Sequence, residues 1–247
     1  MPKVLRAEWL KAWSGRTWWI MAAVALFIGL LGSSGASSTM SQQIGDGMTD
    51  TAAATAEVIR SWFAILLPAM LFGAIFVTRE YSSGAISRSV LLSGGRVRLL
   101  AAKTAVGTGI GVLFALLTAV LAPLSVWGFF AVFGVEPQWT GEATRTLIGV
   151  SSVIALAAPW GVLLGWVIRH QAAAVATLLV VTLFVDETLF AFVPEVGKFT
   201  MQLSMGSVYL DGKEEALSVP WALLVIAGWL ALAGYAAYWR LATRDVT

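Results

Sequence analysis

The chain has no cysteine, which excludes disulfides, thiolate nucleophiles and cysteine-based metal centres. Histidine is almost absent as well. His170 stands alone, so no histidine cluster is available to hold zinc or a similar metal. Charge is scarce: 12% of the 247 residues are Asp, Glu, Lys or Arg, well below the roughly 25% of a soluble domain. A phosphate-binding loop of the form G-x-x-x-x-G-K-[S/T] is missing, because Gly197-Lys198 is followed by Phe199 and Gly212-Lys213 by Glu214. No catalytic constellation is visible, so the chain is not expected to be an enzyme by itself, nor to hold a cofactor. A nucleic-acid partner is not expected either.

Hydrophobic residues are what it has, 58% of the total, with a mean hydropathy of +0.82. One soluble core cannot hide that much apolar surface, and the remaining solvent must be lipid. Six apolar stretches, near 17–32, 58–77, 104–133, 147–168, 172–193 and 220–239, approach the ~20 residues that cross a bilayer. The first lacks a small-residue cleavage site and is read as a retained span. The third would be roughly 45 Å long as a helix and must tilt, or bend at Pro123. Helices are expected because lipid offers no partner to a free backbone amide, and continuous runs do not suit a barrel.

The connections divide by charge. Segments 1–16, 78–103 and 169–171 and the tail from 240 carry twelve Lys or Arg against three acids. The other connections and adjoining span ends carry four against eleven. The positive-inside rule puts the first set in the cytoplasm, and six spans return both termini to that side. Segment 33–57, rich in Ser, Thr, Gly and Ala, reads as a flexible external loop, and 194–219 as an external segment with small surface helices. The turn Arg169-His170-Gln171 forces the fourth and fifth spans into a tight hairpin. Gly161 and Gly165, with Gly107, Gly109 and Gly111, suggest close helix contact or ordinary tolerance of glycine in membrane helices.

Three places could carry function. Residues 1–16 form an amphipathic helix with Leu5, Trp9, Ala12 and Trp13 on one face and Glu8 and Lys11 opposite. Such a helix lies in the inner interface, with Trp9, Lys11 and Trp13 at headgroup level, unless it is only a positive flank. Loop 78–103, TREYSSGAISRSVLLSGGRVRLLAAK, holds a short apolar cluster (Ile86, Val90, Leu91) ringed by Arg88, Arg96, Arg98 and Lys103. It reads as a surface for a protein partner or as a solvated loop. Asp186 and Glu187 fall in the outer part of the fifth span, as an outer gate or ion site or as the helix's exit from lipid.

The order Glu80-Tyr81-x-x-Gly84-x-Ile86, then Arg88, then Arg96, Arg98, Ala101 and Lys103 before a span, resembles the ABC-2-type transporter permease family. Glu8, Trp9 and Lys11 before the first span are similar to the family's N-terminal segment, and Gly161 to Leu179 to its fourth-to-fifth hairpin. Ser93-Gly94-Gly95 departs from it where many members carry proline. The resemblance implies an all-α integral membrane fold of six transmembrane helices with a short cytoplasmic coupling helix and an N-terminal interfacial helix. It also implies a permease subunit of a bacterial ATP-driven exporter, multi-pass in the cell membrane. A separate ABC ATPase subunit would bind ATP and Mg, and a second permease copy or a homologous permease would complete the path. Glu80, Tyr81, Gly84, Ile86 and Arg88 would then form the coupling segment, with Glu80 as its polar anchor in the ATPase cleft. Leu92-Ser93-Gly94-Gly95-Arg96 imitates an ATPase signature but is read as a helix-ending turn. The cargo is open among hydrophobic and amphipathic compounds. Rival readings are a non-transporting scaffold or immunity protein, and an ion-coupled carrier that would need Asp186 or Glu187.

Overall fold

A computed structural model describes residues 1–213 and 215–243. Arg244 and Asp245, assigned above to the internal tail, lie outside the described residues. Within them every regular element is a helix, and six helical stretches are long and apolar enough to cross a membrane: Arg16–Gly45, Thr51–Ser82, Arg96–Val132, Gly141–Ile168, Gln171–Phe192 and Val219–Thr243. These cover all six apolar runs, mostly with longer ends.

The first helix, α1, is Pro2–Ser14, and α2 is Arg16–Gly45. The serine-rich segment after residue 32 is helix, not loop, as far as Gly45. Its hydroxyls do not compete with the helix but donate back into it, Thr39 to the Gly35 carbonyl at 3.1 Å and Ser41 to Ser37 at 2.7 Å. Ser33 also shares a 2.7 Å hydrogen bond with Ser125, whose hydroxyl takes the indole N–H of the buried Trp62 at 3.0 Å. A short turn ends at Asp50, whose carboxylate accepts from the Ala53 amide at 2.7 Å and starts α3, Thr51–Arg60. A 3-10 turn at Ser61–Ile65 joins α3 to α4, Leu66–Ser82.

Next come α5, Ala85–Ser93, and α6, Arg96–Val132, which runs through Pro123 and is roughly 55 Å long. Helix α7, Gly141–Ile168, ends at Arg169 in the left-handed region, and His170 caps α8, Gln171–Val180, by accepting from the Ala173 amide. The two helices therefore turn sharply. A π-helical turn, Val181–Val185, leads to α9, Asp186–Phe192. Two short helices, α10 (Pro194–Gly197) and α11 (Met201–Val208), precede α12, Val219–Thr243.

Helices α4, α6 and α7 form the centre, and glycine decides how closely they approach. A Cβ on Gly161 would sit 1.9 Å from the Met70 carbonyl oxygen, and one on Gly73 2.1 Å from that of Ala158. Thus α4 and α7 touch backbone to backbone. Gly111 brings α6 equally near, 2.3 Å between its would-be Cβ and the Ala155 oxygen. Dispersion across such contacts replaces the hydrophobic effect that lipid cannot supply. Helix α11, expected at the surface, is instead packed into the bundle. Ser204 and Met205 are buried, and Gly149 admits the backbone at Val208 and Tyr209.

Candidate functional site: a buried charge cluster beneath a short exposed helix

At the end of the bundle where α1, α5 and the close of α12 meet, four ionised side chains form a closed set. Lys103, on α6, is 0% exposed. Its ammonium donates to Glu8 at 2.7 Å and to Glu80 at 2.9 Å. It also lies 4.3 Å from the centre of the Phe76 ring. Lys11 completes the set, with Nζ 2.6 Å from Glu8 and 3.1 Å from Glu80. Two acids balance two lysines, so no net charge is buried, which is the condition under which such a cluster is tolerable. Burial works against the charged form of Lys11, yet the bond to Glu8 and the nearby Glu80 carboxylate hold its pKa above the ordinary value.

Each residue reaches the cluster for a local reason. Glu8 and Lys11 are one helical turn apart on α1 and share a face. Glu80 sits in the last turn of α4, just before Gly84, which adopts a φ of 68° that an L side chain would strain and swings the chain into α5. Ser89 on α5 accepts the third Lys11 bond, at 3.1 Å. The Arg79 guanidinium donates to the Lys11 carbonyl at 2.9 Å. Four separate helices are thereby tied through a single lysine pair.

The sequence placed Glu8 on the polar, outward face of α1; the structure turns it inward, at 2% exposed. The reason is Lys103, which is distant in sequence and invisible to a single-helix pattern. Trp9 and Trp13 are half-buried. Trp9 rests on α6 over Gly109, and Trp13 packs against Trp18 with ring centres 4.7 Å apart. Helix α1 is thus fastened to the bundle.

The segment that the resemblance marks for coupling has two sides. Ile86, Ser89 and Ser93 face inward and are buried. Arg88, Leu91 and Leu92 face out, with Leu91 81% exposed. Tyr81 leans on Trp166 with ring centres 5.9 Å apart, under the Arg169 guanidinium. Glu80 points into the cluster and away from the outer face, although one carboxylate oxygen has no partner among the described residues. The LSGGR stretch is the turn between α5 and α6, with φ of 78° at Gly94 and 137° at Gly95.

Arginines close the remaining gaps at this end. Arg96 donates to the Leu241 carbonyl at 2.7 Å and Arg169 to that of Arg240 at 2.7 Å, satisfying acceptors that the end of α12 leaves open. At the opposite end, Glu187 pairs with Lys213 at 2.8 Å, while Asp186 is 5% exposed and turned into the protein. The two neighbours in sequence therefore lie in different surroundings. Among the described residues no group of His, Asp and Glu could hold a metal ion.

Comparison with curated proteins yields no match. A family model described as ABC-2 family transporter protein matches residues 4–185, which includes the whole charge cluster and α5. With that match over most of a six-span helical frame, the chain belongs to the ABC-2 transporter family and is a membrane permease component of an ABC transporter.

Proposed function

We propose that this permease couples ATP hydrolysis on a separate ATPase subunit to export of a hydrophobic or amphipathic compound. Helix α5 is the contact. The observation that carries the reading is the division of that helix. Its inner face is fixed to α1, α4 and α6 by the charge cluster, while its outer face leaves Arg88, Leu91 and Leu92 unpartnered by apolar neighbours. Two exposed leucines beside an arginine suit a cleft that is apolar at its base and acidic at its rim. In this orientation the end bearing α1, α5 and the close of α12 faces the cytoplasm, as its excess of Lys and Arg favours.

Mechanically, closure of two ATPases around ATP displaces α5. The displacement passes through Ser89, Lys11, Glu80 and Lys103 into α1, α4 and α6 together. Glu80 then works as a positioning residue behind the docking surface, and its link to the ATPase is indirect. Close glycine contacts make α4, α6 and α7 move as one body, so a second permease is needed to form a path that opens and shuts. ATP and Mg remain on the partner. A scaffold without transport would show the same α5 surface, so the decisive trial is functional. Purified with its ATPase, the chain should raise ATP hydrolysis, and Leu91→Asp with Leu92→Asp should abolish both the stimulation and the co-purification. Unchanged hydrolysis and an intact complex in that double variant would overturn the docking assignment.

A further inference from the structure

A second feature lies away from the charge cluster, near the opposite end of the bundle. Between α4, α7, α12 and the broken fifth span there is a cavity of about 420 Å³, within the roughly 300–1,000 Å³ typical of small-molecule sites. Its walls are apolar and aromatic, with Met70, Trp160, Leu164, Phe199 and Trp229 prominent. Trp160 and Trp229 meet edge to face with ring centres 6.1 Å apart, and the Trp229 indole donates to the Phe199 carbonyl at 2.8 Å. The indole donor is thus already used.

Asp186 lines this cavity, as do Thr200 and Gln202. Its carboxylate has roughly four acceptor positions. No Lys or Arg among the described residues pairs with it, since the nearby Lys213 is engaged by Glu187 and Asp211. The side-chain oxygen of Gln202, also lining the cavity, is buried without a donor. Asp186 follows directly on the π-helical turn Val181–Val185, a local departure that re-aims side chains and recurs at functional sites. The wall therefore offers acceptors and apolar surface but no cation. A buried carboxylate without a cation is costly, and a ligand that brings one relieves the cost.

We infer that this cavity is a binding site for an amphiphile carrying a primary ammonium group, its charge on Asp186, its N–H shared with Gln202 and its alkyl or aromatic portion against Trp160 and Trp229. The ligand is a free amine and not a membrane phospholipid, because a headgroup phosphate would bring an anion beside Asp186 and Glu187. The site requires only this chain and stands independently of ATPase docking.

The test is equilibrium binding of radiolabelled decylamine to the full chain in phosphatidylcholine nanodiscs, with uptake by empty discs subtracted. Saturable binding is expected, with decanol and decanoate binding about tenfold or more weakly, as loss of a charge-assisted hydrogen bond implies. Asp186→Asn should weaken decylamine binding by a similar factor, whereas Glu187→Gln should leave it unchanged. Discs containing phosphatidylethanolamine should give the same affinity, and displacement there would overturn the assignment in favour of lipid. Uptake no greater than in empty discs, or equal affinity for decylamine in the Asp186→Asn variant, would overturn the site. Should that variant fail to insert, the comparison of amine with alcohol on the unaltered chain decides alone: equal affinities overturn it.

Discussion

Lys103 shows how much one side chain can be asked to hold. Its ammonium is fully enclosed, bonded to two carboxylates and set over a ring. Removing one member of such a set leaves the others charged, buried and uncompensated. Lys103→Met should therefore lower stability by about 3–5 kcal/mol, measured as loss of folded protein on titration with denaturing detergent. Replacing Glu8, Glu80, Lys11 and Lys103 together by apolar residues of similar volume should cost much less, because no orphan charge remains. If the single variant is as stable as the parent, the cluster is not a structural clasp. The same reasoning separates two neighbours at the other end. Glu187 has Lys213 at hand and tolerates Gln, while Asp186 has no cation and is reserved for the site described above.

At the scale of elements, what could be read from residues alone depended on whether the partner was local. Six spans were legible, since a run of about twenty apolar residues has few other uses. The Gly94–Gly95 turn was legible too, being written in adjacent residues. Helix α2 beyond residue 32 was not. Serine and glycine usually mark loops, but here the hydroxyls return to carbonyls one turn back and Ser33 meets Ser125 from a distant helix. Glu8 was assigned outward because a helical pattern cannot anticipate Lys103. A short helix between the second and third spans was legible, but that Leu91 faces away from the buried Ile86 was not. Contact between α4 and α7 gives a test at this scale. Gly161→Leu places side-chain atoms where the Met70 carbonyl lies, so the helices must part. A loss of about 1–3 kcal/mol or more is expected, seen as a lower melting temperature and reduced yield in the membrane. A stable, fully packed Gly161→Leu protein would contradict the backbone contact. Gly234→Leu, where the added atoms meet open space, should be tolerated.

For the whole molecule, the distribution of charge and the distribution of contacts tell one story. One end gathers α1, α5, the α7–α8 turn and the close of α12, knit by lysine–carboxylate pairs and by arginines on helix-end carbonyls. The other end gathers most acids and the short helices α10 and α11. In the proposed mechanism energy enters at the first end, through α5, and the acceptor-lined cavity lies toward the second, with the closely packed α4, α6 and α7 between them. The family assignment fits this plan, and the plan requires that α5 face the compartment where ATP is hydrolysed.

The natural absence of cysteine allows that requirement to be measured with a single introduced thiol. Leu91→Cys on α5 and Met48→Cys in the turn before α3 replace residues 81% and 74% exposed, so both thiols are open to reagent. Intact cells treated with a membrane-impermeant maleimide should label Cys at position 48 and spare position 91, with position 91 reacting only after the membrane is opened. Labelling of position 91 in sealed cells would put α5 outside, beyond reach of any ATPase, and would contradict the coupling mechanism.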